Sequence, residues 1–255
     1  MTLKSASLFI VALLFALIFP VLPVASQSAG EDGVQIISLS ESGHDIANAV
    51  LFSHDGKRIV VGTSSGISIF DSKSLFRERF IETGTWVRSI TLSSDEQTLA
   101  AGLFDNTVRL WNFSDGREIS VLRGHTNWVR SVAFSPNGRL LATAGDDDTV
   151  LLWDTSTHSI KRVITQVIGA RVLAFSPDGQ ELAIGLQDST IKLIKASDGS
   201  LTKTLVGHTD WVRSLVFSPD GATLASGAFD ATIILWDVSN GHSTHKLTGH
   251  QSSVL

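Results

Sequence analysis

The sequence predicts an all-β chain in which five consecutive units of four short antiparallel strands repeat every 41 or 42 residues. Three observations carry this. The pair Trp111-Asn112 returns as Trp153-Asp154 and Trp236-Asp237, with Phe70-Asp71 before them and Ile194-Lys195 in the gap, giving steps of 41, 42, 41 and 42. A turn signal recurs in phase after an alternating apolar run: FSHDG at 52, LSSDE at 92, FSPNG at 134, FSPDG at 175 and FSPDG at 217. Proline presets φ and glycine admits positive φ, which together favour a tight reversal. The runs between turns are short and rich in Val, Ile and Leu, too short for helices.

In the third unit the expected strands run from Val129 to Phe134, Leu140 to Ala144, Val150 to Trp153 and Ser159 to Ile164. A second turn set follows the Trp: SDG at 114, SDG at 197 and SNG at 239. The stretch GHTNWVRSVAFSPNG, from Gly124, comes back 83 residues later as GHTDWVRSLVFSPDG, with eleven of fifteen positions identical. Five complete repeats are therefore expected, with blade sequence running from 44 to 255. At the end of the chain Gly249-His250 opens a sixth unit and QSSVL aligns with TDWVR, which puts Leu255 inside a first strand. Before the first unit VQIISL, at 34–39, precedes His44 as EISVL precedes His125, and reads as a fourth strand without its own first three.

Composition sets further limits. With 255 residues, 43% of them hydrophobic and 18% charged, the chain can bury a sizeable core. Its net charge of -5 and the absence of Lys or Arg runs argue against nucleic acid as a partner and against general attraction to anionic lipid. Cysteine is absent, which excludes disulfides, thiolate chemistry and Cys-ligated metals. The amino terminus has the layout of a secretory signal peptide at 1–26: Lys4, an apolar run from Leu8 to Phe19, Pro20 and Pro23, then Val24-Ala25-Ser26. Cleavage after Ser26 is expected, followed by a segment at 27–43. The alternative is an uncleaved anchor over 8–25, against which the two prolines argue; only then is a membrane involved.

Four strands per 40 to 45 residues, opened by Gly-His and closed by Trp-Asp, resemble the WD-repeat β-propeller family. The resemblance runs from about Val34 to Leu255 and is that of an exported, bacterial-type member. It implies that strand 34–39 completes a final blade. Because its partner strands are missing, the expectation is a fragment or truncated product of a six- or seven-bladed propeller. The resemblance also implies a buried hydrogen-bonded tetrad in each full repeat: His125, Thr143, Asp147 and Trp153 in the third unit, His208, Ser226, Asp230 and Trp236 in the fifth. Read alone, His with Asp and Ser would suggest a hydrolase triad; recurrence in phase, with each His tied to a Trp, favours a structural role. The second unit has Thr83 and Ala101 where His and Ser are expected but keeps Asp105 and Trp111. The fourth has Gln166, Ile184 and Ile194 and keeps Asp188, while the first keeps His44 and loses the Asp. These three are expected to rely on apolar packing.

The residues on either side of the first-strand Val, with the residue before the turn Asp, are implied to face a partner at the top rim. They are Trp86, Arg88 and Phe104; Trp128, Arg130 and Asp146; Gly169, Arg171 and Gln187; Trp211, Arg213 and Phe229. Trp and Arg are enriched among interface hot spots. The competing reading is that the Trp pack between blades and each Arg stacks on a neighbouring ring. The function expected is a noncatalytic scaffold that binds a protein or peptide with acidic or aromatic features on that face, with no catalytic residue, cofactor or metal. The alternatives are an exported propeller enzyme, for which no HExxH, phosphate loop or nucleophile elbow is found, and a TolB-like periplasmic propeller.

Overall fold

A computed structural model describes residues 45–254. The leader at 1–26, the strand at 34–39, His44 and Leu255 lie outside the described residues. Among the described residues there are twenty strands and no helix. The first sheet holds β1 (Ala47–Phe52), β2 (Arg58–Thr63), β3 (Gly66–Asp71) and β4 (Arg77–Glu82). The second holds β5 (Val87–Leu92), β6 (Thr98–Leu103), β7 (Thr107–Asn112) and β8 (Glu118–Arg123). The third holds β9 (Val129–Phe134), β10 (Leu140–Gly145), β11 (Val150–Asp154) and β12 (Ser159–Ile164). The fourth holds β13 (Val172–Phe175), β14 (Glu181–Gly185), β15 (Thr190–Lys195) and β16 (Leu201–Val206). The fifth holds β17 (Val212–Phe217), β18 (Thr223–Ala228), β19 (Ile233–Asp237) and β20 (Ser243–Leu247). Each sheet pairs its strands in chain order and antiparallel, so each is one propeller blade.

The turn after each first strand is built from one device, repeated five times. Ser53, Ser93, Ser135, Ser176 and Ser218 each donate their hydroxyl to the Asp or Asn two residues on, at 2.5 to 2.8 Å. Each hydroxyl also accepts the backbone N–H five residues on, at 2.9 Å. The recurrent Ser-x-Asp is thus a brace between two strands. Gly138, at φ 68°, takes the left-handed turn position in the third blade; the second blade has no Gly there and puts Glu96 at φ 55°.

The core lies between blades rather than within them. In β6, Leu99, Ala101 and Leu103 pack with Val60, Ile67 and Ile69 of the first blade. Ala100, from the opposite face, packs with Val129, Val132 and Leu141 of the third. Both faces of the second strands are buried, so apolar residues run on where a half-exposed strand would alternate. Burial then falls outward: β10 is buried throughout, whereas β20 is exposed throughout. Inner strands pack in series, β1 on β5, β5 on β9, β9 on β13 and β13 on β17. β17 is not packed on β1, so the described array is open. Beyond β20, the Val254 N–H donates to the Ala228 carbonyl at 3.0 Å, as the Val212 N–H donates to Leu186 at 3.1 Å.

Candidate functional site

Two polar networks stand out, one inside the blades and one at their inner rim. In the third blade the Trp153 indole N–H donates to Thr143 Oγ1 at 2.9 Å, and Thr143 Oγ1 lies 2.8 Å from His125 Nε2. His125 Nδ1 lies 2.9 Å from Asp147 Oδ2, which also accepts the Thr126 N–H at 2.8 Å. One protonation pattern satisfies all of these: Thr143 accepts from the indole and donates to Nε2, while Nδ1–H donates to the carboxylate. The fifth blade repeats the arrangement. Trp236 Nε1 donates to Ser226 Oγ at 2.8 Å, Ser226 Oγ meets His208 Nε2 at 2.7 Å, and His208 Nδ1 meets Asp230 Oδ2 at 3.0 Å. Thr143 and Trp236 are 0% and 1% exposed, so neither network presents a nucleophile to solvent.

The other blades close the same gap differently. In the second, Ala101 and Trp111 are buried, and Thr83 donates its hydroxyl to the Thr85 carbonyl at 2.6 Å. Asp105 there holds the Thr107 hydroxyl and Arg109, each at 2.6 Å. In the fourth, Ile184 and Ile194 are buried and Asp188 holds only Thr190.

Burial costs the His125 imidazolium more than the Asp147 charge returns, so its pKa lies below the ordinary 6.5. Burial pushes Asp147 up, but hydrogen bonds from Thr126, Thr149 and His125 outweigh it and the net direction is down. Asp230, buried as well, is brought to about 2 by Thr232, Thr209 and His208. Below pH 6.5 the unfolded chain therefore takes up a proton at His125 that the folded chain refuses. Below the ordinary carboxylate value of 3.8 it does so at both Asp. Stability is expected to be full above about pH 7 and to fall on acidification in two stages, one starting near 6.5 and one near 3.8. Denaturant midpoints against pH check this, and His125→Gln should lack the upper stage.

At the inner rim, one backbone bond recurs in four blades. The N–H of the residue before the turn Asp donates to the carbonyl of the residue before the first-strand Val or its counterpart. The pairs are Phe104 to Trp86, Asp146 to Trp128, Gln187 to Gly169 and Phe229 to Trp211, at 2.9 to 3.1 Å. This places the side chains together. Trp86 stacks on Phe104 at 5.4 Å between ring centroids, Phe104 stacks on Trp128 of the next blade at 4.4 Å, and Trp211 stacks on Phe229 at 5.6 Å. The three Trp remain 38 to 42% exposed.

Arg88, Arg130, Arg171 and Arg213 line a central cleft of about 260 Å³ together with Asn48, Ser89 and Ser131. In the first, second, third and fifth blades the register between the first two strands is interrupted at this residue. Asn48, Arg88, Arg130 and Arg213 are the unpaired residues of four β-bulges. A bulge re-aims its side chain out of the strand's alternation. The aromatic rings do not line the cleft: the arginines do, and the rings stack at the rim. The reason is that each Trp precedes its strand while each bulged Arg is turned inward. Asp146 is also no free contact residue. Its Oδ2 takes Arg130 Nε at 2.7 Å and Oδ1 takes Arg171 at 2.6 Å. Arg130 lies over Trp128, Arg171 over Trp211 and Arg213 over Phe229, at 5.0 to 5.2 Å.

Comparison with known proteins fits this geometry. The family model described as WD domain, G-beta repeat matches residues 78–112, 116–154 and 199–237. Each match runs from the outer strand of one blade through the third strand of the next, and the matches end at the Trp-Asn or Trp-Asp of the second, third and fifth blades. The chain is also similar to "Cross-pathway control WD-repeat protein 2" of Flammulina velutipes, 35% identical over 102 residues. That stretch covers 33% of this chain and 32% of the relative, so the chain matches about a third of the relative's length. With repeat sequence, in-phase blades and two complete His–Ser/Thr–Asp–Trp networks in one molecule, the chain carries the repeats of the WD-repeat family.

Proposed function

We propose that this protein is a noncatalytic scaffold that binds a protein or peptide across the rim carrying Trp86, Phe104, Trp128, Trp211 and Phe229. WD-repeat proteins generally act as protein-interaction scaffolds. The observation that supports this face is the exposure of three stacked Trp beside a cleft of four arginines. Such rings combine large area with little conformational entropy to lose. The buried tetrads support the noncatalytic reading, since their His and hydroxyl groups are satisfied by one another and sealed from substrate. Replacing Trp86 and Trp211 together by Ala should weaken the capture of specifically copurifying proteins about tenfold or more. The melting temperature should stay close to wild type, because the rings rest on the rim. Undiminished capture would move the binding face elsewhere.

The leader-like 1–26 supports export as part of the same reading. Mass spectrometry of the secreted chain should find its amino terminus at or near Gln27. A chain retaining Met1 would instead be membrane-anchored.

A further inference from the structure

The four cleft arginines divide into two pairs. Arg130 and Arg171 share the Asp146 carboxylate, which sits between them. The Gln187 amide, turned with its oxygen toward Arg171, adds an acceptor for Nε at 2.6 Å. Arg88 and Arg213 have no carboxylate or hydrogen-bond acceptor among the described residues; Arg213 has only the face of Phe229. Both are partly buried on bulges that aim them into the cleft. Burial, then the like charge of Arg130 and Arg171, holds Arg88 below the ordinary guanidinium range. Burial followed by Arg88, Arg171 and Arg130 brings Arg213 to about 10. Both stay cationic at neutral pH, having lost part of their water with no carboxylate bonded to them and only the field of Asp146 in return.

We propose that the central cleft binds an oxyanion carried on the partner, a carboxylate or phosphate of a peptide segment, through Arg88 and Arg213. This rests on the scaffold reading of the rim. The guanidinium fork matches both groups in two parallel hydrogen bonds, which an ammonium does not. Size favours a peptide side chain over a free metabolite. At about 260 Å³ the cleft falls below the roughly 300 to 1,000 Å³ of most small-molecule sites. A single acidic side chain can enter it while its neighbours meet the Trp rings above. The pairing pattern also argues against a purely structural role. Arginines that hold a fold together are paired, as Arg130 and Arg171 are here, whereas two unpaired cations beside them repel.

The test uses the full chain and fluorescein-labelled hexaglutamate, with hexaglutamine as the neutral probe, read by fluorescence anisotropy. Hexaglutamate should bind and weaken with added salt, and hexaglutamine should not bind. Arg88→Gln with Arg213→Gln should reduce hexaglutamate affinity about tenfold or more. Its melting temperature should equal or exceed that of wild type, since like-charge repulsion is removed. Stronger competition by inorganic phosphate than by acetate assigns a phosphorylated segment; the reverse order assigns an acidic one. Unchanged hexaglutamate affinity in the variant overturns the site, as does lost affinity accompanied by a clear drop in melting temperature. If the Trp86 and Trp211 variant loses its copurifying partners while the Arg88 and Arg213 variant keeps them, the anion site fails and the scaffold reading stands.

Discussion

Replacing Thr143 with Val is expected to destabilise the protein by about 2 to 6 kcal/mol, because two buried polar groups lose their partner at about 1 to 3 kcal/mol each. The two are the Trp153 indole N–H and His125 Nε2, at 2.9 and 2.8 Å from the hydroxyl. Valine nearly matches threonine in shape, so little of the loss comes from a cavity. His125 cannot escape by changing tautomer, since Nδ1–H is committed to Asp147. Water has little room to substitute: Thr143 is fully buried and Trp153 is 3% exposed. Chemical denaturation measures the effect. In a Trp153→Phe background one of the two orphans is already gone, and Thr143→Val should then cost about 1 to 3 kcal/mol less. Ser226→Ala should behave in the same way with Trp236 and His208. A loss under about 1 kcal/mol in both blades would mean that the hydroxyls are not the hubs their geometry makes them.

The resemblance could be carried onto these tetrads residue by residue because their residue types are demanding and their spacing is fixed by register. Thr143 pairs with Leu151 and Leu141 with Trp153, so a hydroxyl two residues after Leu141 lies on the same face as the indole. The same holds for Ser226, two residues after Leu224, which pairs with Trp236. Turns were legible for the same reason, since Ser, Asp and Gly each meet a separate backbone demand. The cleft was legible only in part. Arg88, Arg130 and Arg213 could be placed at the rim, but the bulges that turn them inward carry no residue signature, because Arg imposes nothing on the backbone there. The split between carboxylate-paired and unpaired arginines depends on Asp146. Its neighbours in phase are Phe104, Gln187 and Phe229, so nothing in the repeat announced a shared carboxylate.

One signal was present in the sequence and went unread. Gly62, Gly102, Gly145, Gly185 and Gly227 recur near the end of every second strand. In four of them the missing side chain makes room for the next blade. A Cβ on Gly62 would lie 2.6 Å from Val87 Cγ1, on Gly102 2.7 Å from Val129 Cγ1, and on Gly185 2.8 Å from Val212 Cγ1. On Gly227 it would lie 2.7 Å from Val254 Cγ1, so Val254 sits on its glycine as Val87, Val129 and Val212 sit on theirs. Gly145 differs: it lies one residue out of phase, where the second blade has Leu103, and its Cβ direction is filled by His125 and by Asp147 Oδ1 at 2.6 Å; Ala144 holds the place of the other glycines there, in a cluster with the small Ala170.

Gly102→Ala is therefore expected to destabilise, although by local propensity it should help. Removing a glycine from a strand favours folding by about 0.5 to 1 kcal/mol through the unfolded chain. Against this, forcing a methyl into a filled core costs about 1 to 3 kcal/mol, and the upper end applies where the neighbour cannot yield. Val129 cannot. It is 0% exposed, its β-branch has one favoured rotamer, and Val132 Cγ1 closes the other side at 3.1 Å. The net expectation is a loss of about 1 to 2 kcal/mol with the blade contents unchanged. The decisive measurement is the pair Gly102→Ala and Val129→Ala. Each alone should destabilise, the first by overpacking and the second by a cavity, and together they should cost at least about 1 kcal/mol less than their sum, because the new methyl occupies the space the valine vacates. Strict additivity would show that the glycine serves its own strand, and that the joint between blades is made elsewhere.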